Sequence, residues 1–184
     1  MPDGLDWVAS ALGATIVQSQ RVTSLWGGYG ELLRVELEGF SARHAVVKWV
    51  RPPAGRSDRS HRRKHRSYEV ETAWYRTLSS RCDDGCRVAR LYASRSDGDE
   101  TLLVLEDLDA SGFAARRRRP APEVLDRVLV WLASFHARFL GTEPEGLWPV
   151  GSYWHLATRP DELAQMSDDR LKAAAEWLDQ KLRS

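Results

Sequence analysis

The chain of 184 residues is short of several things. It has two cysteines, Cys82 and Cys86, in the polar stretch Cys-Asp-Asp-Gly-Cys. Two thiols cannot build a disulfide framework, and a zinc site would need two further ligands where no histidine is close in sequence. Both are expected to be reduced cysteines at a loop edge. No stretch approaches the roughly 18 apolar residues of a membrane-crossing helix; the longest unbroken apolar run covers residues 128–133. Asp3 and Asp6 stand where a signal peptide carries Lys or Arg, and no apolar segment follows. The expectation is a cytoplasmic protein with no membrane partner. Net charge is also lacking: 27 Lys+Arg against 26 Asp+Glu leave +1. That argues against a surface that is basic all over and made for nucleic acid. No internal repeat is visible, and there is no asparagine anywhere in the chain.

What is present fits a soluble globular domain with 42% hydrophobic and 29% charged residues, long enough to bury a core. A short helix is expected over residues 5–14. Strands are expected over 16–22, 31–37 and 44–50, the last a β-branched run, His44-Ala-Val-Val-Lys-Trp-Val50. Residues 51–66 carry seven Arg or Lys against one Asp and read as a mobile loop running into a helix over 67–80. In that helix Val70, Trp74 and Leu78 form an apolar stripe. Strands over 88–93 and 101–105 follow, joined at the tight-turn signal Asp97-Gly98-Asp99. Then come a loop with the Arg116–Arg119 run, a long amphipathic helix over 123–140, and short helices over 160–166 and 168–182. Leu125, Val128, Leu129, Leu132, Phe135 and Phe139 share the face expected to be buried on the long helix. The order predicts an α+β fold: an antiparallel five-stranded sheet with one crossing helix over 1–107, then a helical segment over 108–184.

Four features fall in a meaningful order. Gly27, Gly28 and Gly30 lie in a turn between two strands, Lys48 sits inside an apolar strand, Glu71 lies on the next helix, and an apolar strand ends in Glu106, Asp107 and Leu108. Glycines let backbone N–H groups approach phosphate oxygens. A lysine within an apolar strand needs a compensating carboxylate or phosphate. A strand end offers peptide groups to an adenine edge. Singly, each feature has a plainer reading: a hairpin turn without the full G-x-G-x-x-G spacing, a lysine snorkelling at a sheet edge, a solvated glutamate. Their order is that of a protein-kinase-like N-lobe.

At that level the chain resembles the aminoglycoside phosphotransferase and choline kinase superfamily, closest to its ecdysteroid-kinase-like branch. Four stretches carry the resemblance: Glu71-Thr-Ala-Trp-Tyr-Arg-Thr-Leu78, Leu102-Leu-Val-Leu-Glu-Asp-Leu108, Leu132-Ala-Ser-Phe-His-Ala-Arg-Phe139, and the segment from Leu147 to Pro160 with its Tyr-Trp-His-Leu. The resemblance implies an ATP-dependent kinase of a small-molecule hydroxyl. In it Gly27, Gly28 and Gly30 line the phosphate loop, and Lys48 contacts phosphates and pairs with Glu71. Backbone at Glu106, Asp107 and Leu108 contacts adenine, and Mg²⁺ is held by residues further on. His136 is expected to be buried and structural.

The same resemblance exposes a gap. The family's catalytic loop is His-Gly-Asp followed by a metal-binding Asn, and this chain has neither. The expectation is therefore the nucleotide-binding half of such a kinase, inactive in phosphate transfer by itself, with helix faces exposed that favour self-association. The alternatives are a nucleotide-binding or partner-binding lobe of a pseudokinase or split kinase, and a nucleic-acid binder using the basic clusters at 51–66 and 116–119. The last is disfavoured because no aromatic residues interleave the arginines. Trp148 and Trp154 are candidates for the wall of a substrate pocket.

Overall fold

The computed structural model describes residues 4–55, 57–113, 119, 121–143, 145–149 and 159–182. Arg116, Arg117 and Arg118 of the second basic run, and the Tyr153-Trp154-His155-Leu156 stretch, lie outside the described residues.

The fold is α+β. Its elements are α1 (Gly4–Leu12), β1 (Thr15–Ser24), β2 (Gly30–Glu38), β3 (His44–Val50), α2 (Arg59–Thr77), β4 (Leu91–Asp97), β5 (Glu100–Glu106), α3 (Pro122–Phe139), α4 (Pro160–Ala164) and α5 (Asp169–Leu182). The five strands form one antiparallel sheet in the order β1-β2-β3-β5-β4. Helix α2 crosses from β3 to β4, which is why β5 rather than β4 lies next to β3.

Alternation along the strands separates two faces. Leu33, Val35 and Leu37 of β2, Ala45, Val47 and Trp49 of β3, and Leu102 and Val104 of β5 form the core with Val8 of α1. Leu5, Trp7 and Leu12 of α1 close its rim, with Phe40 and Tyr92 packed edge-on at 5.2 Å. Helix α1 comes so close to β3 that a Cβ on Gly4 would stand 2.4 Å from the Trp49 ring.

Four expectations need correction. Helix α2 begins at Arg59, not near residue 67, so much of the basic insert is helix. Asp58 caps it by accepting from the His61 N–H at 2.8 Å. Its charges find partners: Arg63 pairs with Glu162 at 2.7 Å, and His65 and Arg66 both reach Glu69. An apolar stripe was the wrong signal for these two turns, because ion pairs and a cap hold them.

The fourth strand starts at Leu91 rather than Val88. Helix α3 packs through Trp131, Phe135 and Phe139, with the Trp131 and Phe135 rings stacked at 5.2 Å and the Trp131 indole donating to the Arg87 carbonyl at 3.0 Å. Leu125, Val128, Leu129 and Leu132 are exposed. So is His136, contrary to its expected burial. The hydrophobic stripe is wider than the contact available, and the aromatic edge occupies that contact.

Both cysteines are free thiols. Among the described residues no helix is long and apolar enough to cross a membrane.

Candidate functional site

The sheet face opposite the core builds the site. Leu32, Lys48 and Leu103 stand across from one another on β2, β3 and β5, and Arg34, Val46 and Leu105 form the next such row. Between them, Leu33, Val47 and Val104 point to the core. A one-residue slip of β3 would exchange Lys48 with Val47 and drive the ammonium into the apolar side.

Lys48 Nζ meets Glu71 Oε2 of α2 at 2.5 Å and lies 5.1 Å from the Tyr68 ring centre. The lysine side chain is 17% exposed and the glutamate 31%. A cation held this far from water requires a counter-charge, and α2 supplies it because Glu71 and Tyr75, one turn apart, both face the sheet. Burial, reinforced by the Glu71 charge, raises the Tyr75 phenol above its ordinary value.

A cleft of about 350 Å³ runs along this face. Val22, Leu25, Leu32, Val46 and Leu105 form its apolar walls. Lys48 and Glu71 contribute polar groups, and Glu106, Asp107 and Leu108 also line it. The two carboxylates of this last segment are held by arginines. Arg87 donates to Glu106 at 2.5 Å, and the Arg90 backbone N–H donates to the same carboxylate at 3.2 Å. Burial pushes the Glu106 carboxyl up, but hydrogen bonds from Ser111, Arg90 and Arg87 outweigh it and hold the group below the usual carboxylate range. Arg34 grips Asp107 through Nε at 2.5 Å and Nη2 at 3.1 Å, and reaches Asp109 at 2.6 Å. Those bonds raise the Arg34 guanidinium further above its ordinary value. The turn that follows is closed by Ser111 N–H to Asp107 O at 3.0 Å and Phe113 N–H to Leu108 O at 2.8 Å.

The glycine turn joins β1 to β2. Gly27, Gly28 and Gly30 have φ of 71°, 75° and 131°, the region that favours glycine. A Cβ on Gly30 would lie 2.0 Å from the Trp49 carbonyl oxygen, so this position admits no side chain. Tyr29 is fully buried, its hydroxyl 2.9 Å from His61 Nδ1 of α2. The turn is thereby tied to the first turns of α2. A second, larger cavity of about 620 Å³ opens between this turn, α2 and the segment at Leu147 and Trp148. Lys48 and Glu71 line it as well, together with Trp26 and Lys64.

The structure thus brings Lys48, Glu71, Glu106, Asp107 and Leu108 to one cleft. Gly27, Gly28 and Gly30 shape the turn beside it without lining either space; Leu25 lines the cleft and Trp26 the cavity. Sequence reasoning missed Arg34 and Lys64. The signal for Arg34 was its two-residue spacing from Leu32, which puts it on the Lys48 face. The carboxylates around the cleft are committed to Lys48, Arg87 and Arg34, and among the described residues no three His, Cys, Asp or Glu side chains converge. Neither a scan against protein-family models nor a search of curated proteins found a match for this chain.

Proposed function

We propose that the chain is the nucleotide-binding part of an ATP-dependent phosphotransferase acting on a hydroxyl of a small molecule. The ion pair between Lys48 and Glu71 carries this reading. It joins the central strand to the crossing helix and lines a cleft bounded by an apolar sheet face, with a strand end, Glu106, Asp107 and Leu108, along it. That constellation suits an adenine between Val22, Leu32, Val46 and Leu105, with peptide groups of residues 106–108 on its edge. Phosphates then lie at Lys48, which Glu71 orients, and beside the Gly27, Gly28 and Gly30 turn. The fold is read as a protein-kinase-like N-lobe.

Transfer itself needs a group to orient the acceptor hydroxyl and ligands for a metal on the phosphates. The chain has no His-Gly-Asp and no Asn; in this reading its 184 residues bind ATP and leave alcohols unphosphorylated. The committed carboxylates and the exposed face of α3 favour one further reading, a nucleotide-binding lobe that acts through a protein partner.

Titration calorimetry with ATP tests the proposal. Wild type is expected to bind and Lys48→Ala to lose at least tenfold in affinity, as for a charge-assisted contact worth upwards of about 1.5 kcal/mol. Absence of heat with wild type overturns it. Lys48-dependent phosphorylation of an alcohol by this chain would instead discard the non-transferring part of the proposal.

A further inference from the structure

We infer that Lys64 is a second phosphate-binding cation, which meets the terminal phosphate of a polyphosphate whose inner phosphates lie at Lys48; this rests on the nucleotide reading above.

The cations at the start of α2 are nearly all paired. Its basic half carries Arg59, Arg62, Arg63, Lys64, His65 and Arg66. Arg59 and Arg63 face Asp161, and Arg63 also binds Glu162. His65 reaches Glu69 and Asp99, Arg66 reaches Glu69, and Arg62 donates to the Ser57 carbonyl at 2.7 Å. Among the Lys and Arg residues of this run that the structure describes, Lys64 alone has no carboxylate or carbonyl partner, while His61 bonds the Tyr29 hydroxyl. Its stem turns toward the site instead, with the ammonium 4.5 Å from the Tyr29 ring centre.

The glycine turn makes room for it. A Cβ on Gly27 would stand 2.8 Å from Lys64 Nζ, so any other residue there would press on the ammonium. Lys64, Ser67, Tyr68, Glu71 and Trp74 follow at helical spacing and line the same side of the 620 Å³ cavity, with Lys48 across from them on β3. Two cations therefore enter one cavity whose single lining carboxylate among the described residues, Glu71, is already bound to Lys48. The space carries surplus positive charge beside a turn rich in glycine. That is the chemistry of a polyanion with phosphates in series. The chain has 4 lysines among its 27 cationic residues, and two of the four line this cavity.

The test uses wild type, Lys64→Met, which keeps the stem over Tyr29, and Lys64→Arg, which keeps the charge. Calorimetry is run with ATP, adenosine and inorganic tripolyphosphate. Lys64→Met is expected to weaken ATP and tripolyphosphate by about tenfold, leave adenosine unchanged, and be rescued by Lys64→Arg. A second readout needs no variant: acetylation of the lysines of wild type, read by mass spectrometry, with tripolyphosphate expected to protect Lys64 and not Lys172 or Lys181. ATP binding that ignores Lys64, without protection of Lys64, overturns the inference and leaves the nucleotide reading standing. Lys64-dependent tripolyphosphate binding with no preference for ATP overturns the nucleotide reading and keeps the inference. Binding of none of the probes overturns both.

Discussion

The sheet and the long helix after it use similar residues to opposite ends. β2, β3 and β5 hide their Val and Leu side chains, several of them completely, between α1 on one side and α2 and the cleft on the other. Helix α3 carries as strong an apolar stripe, yet none of its residues is buried, and Leu125, Val128, Leu129 and Leu132 face outward. Helix α5 repeats the pattern with Leu171, Trp177 and Leu178 exposed. Amphipathicity states that a face seeks cover; it does not supply the cover. The sheet finds it within the described residues and the helices do not.

The largest expected effect sets one residue of each region against the other. Leu102→Ala empties a fully buried core position and should cost about 2–5 kcal/mol in chemical denaturation. Leu129→Ala, at 53% exposure, should stay within about 0.5 kcal/mol. Equal losses would mean that α3 is covered in solution, by a second copy or a partner, and the comparison would break. Sedimentation velocity separates these cases: association that Leu129→Glu abolishes identifies the second copy.

The contrast also explains what was legible in the sequence. Strand alternation and the Lys48, Glu71 and 106–108 order were readable because the sheet packs its own residues, so local pattern and final burial agree. The start of α2 was not readable, because Asp58, Glu69 and Glu162 stabilise it through partners that periodicity does not weigh, one of them 99 residues away. The outward face of α3 differs from its pattern for the converse reason: the apolar stripe is present and, among the described residues, the covering surface is not. The spacing of Arg34 from Leu32 gives its face of the sheet but not its partner Asp107, and nothing local announces the contact of Lys64 with Tyr29, 35 residues away in sequence.

A smaller effect sharpens the sheet side of the comparison through pH. Glu106 lies at the end of β5 with its folded carboxyl held below the ordinary range. Its contribution is fully present above the unfolded value, about 4.3. It is lost as pH falls through the lower folded value, because protons then bind the unfolded chain first. The stability of wild type should therefore decline on the acid side. Glu106→Gln should cost about 1–3 kcal/mol at neutral pH, having removed the charge that Arg87 faces, and should flatten the acid decline. Parallel acid limbs for the two proteins would assign that decline to other carboxylates.

The smallest effect lies where the two regions meet. The loop at residues 79–87 carries α3: Asp83 pairs with Arg138, and Arg81 donates to the Arg138 carbonyl at 3.2 Å. Cys82 sits in that loop, its thiol pushed up to about 11 by burial and then by Cys86 beside it, against the opposing pull of Arg138 and Arg81. Below pH 9 such a thiol holds about a hundredfold less thiolate than an ordinary one, and alkylation by iodoacetamide should slow in proportion. The raised value stabilises the fold below the unfolded thiol pKa, and that contribution fades as pH rises through about 11. Arg138→Ala should cut the tie to Asp83 and free the loop. If α3 is held chiefly by its aromatic edge, Trp131 and Phe135, Cys82 stays slow in that variant. If the ion pair holds it, burial is lost and alkylation approaches the ordinary rate. The outcome decides whether the helical region is fastened to the sheet region by packing or by charge.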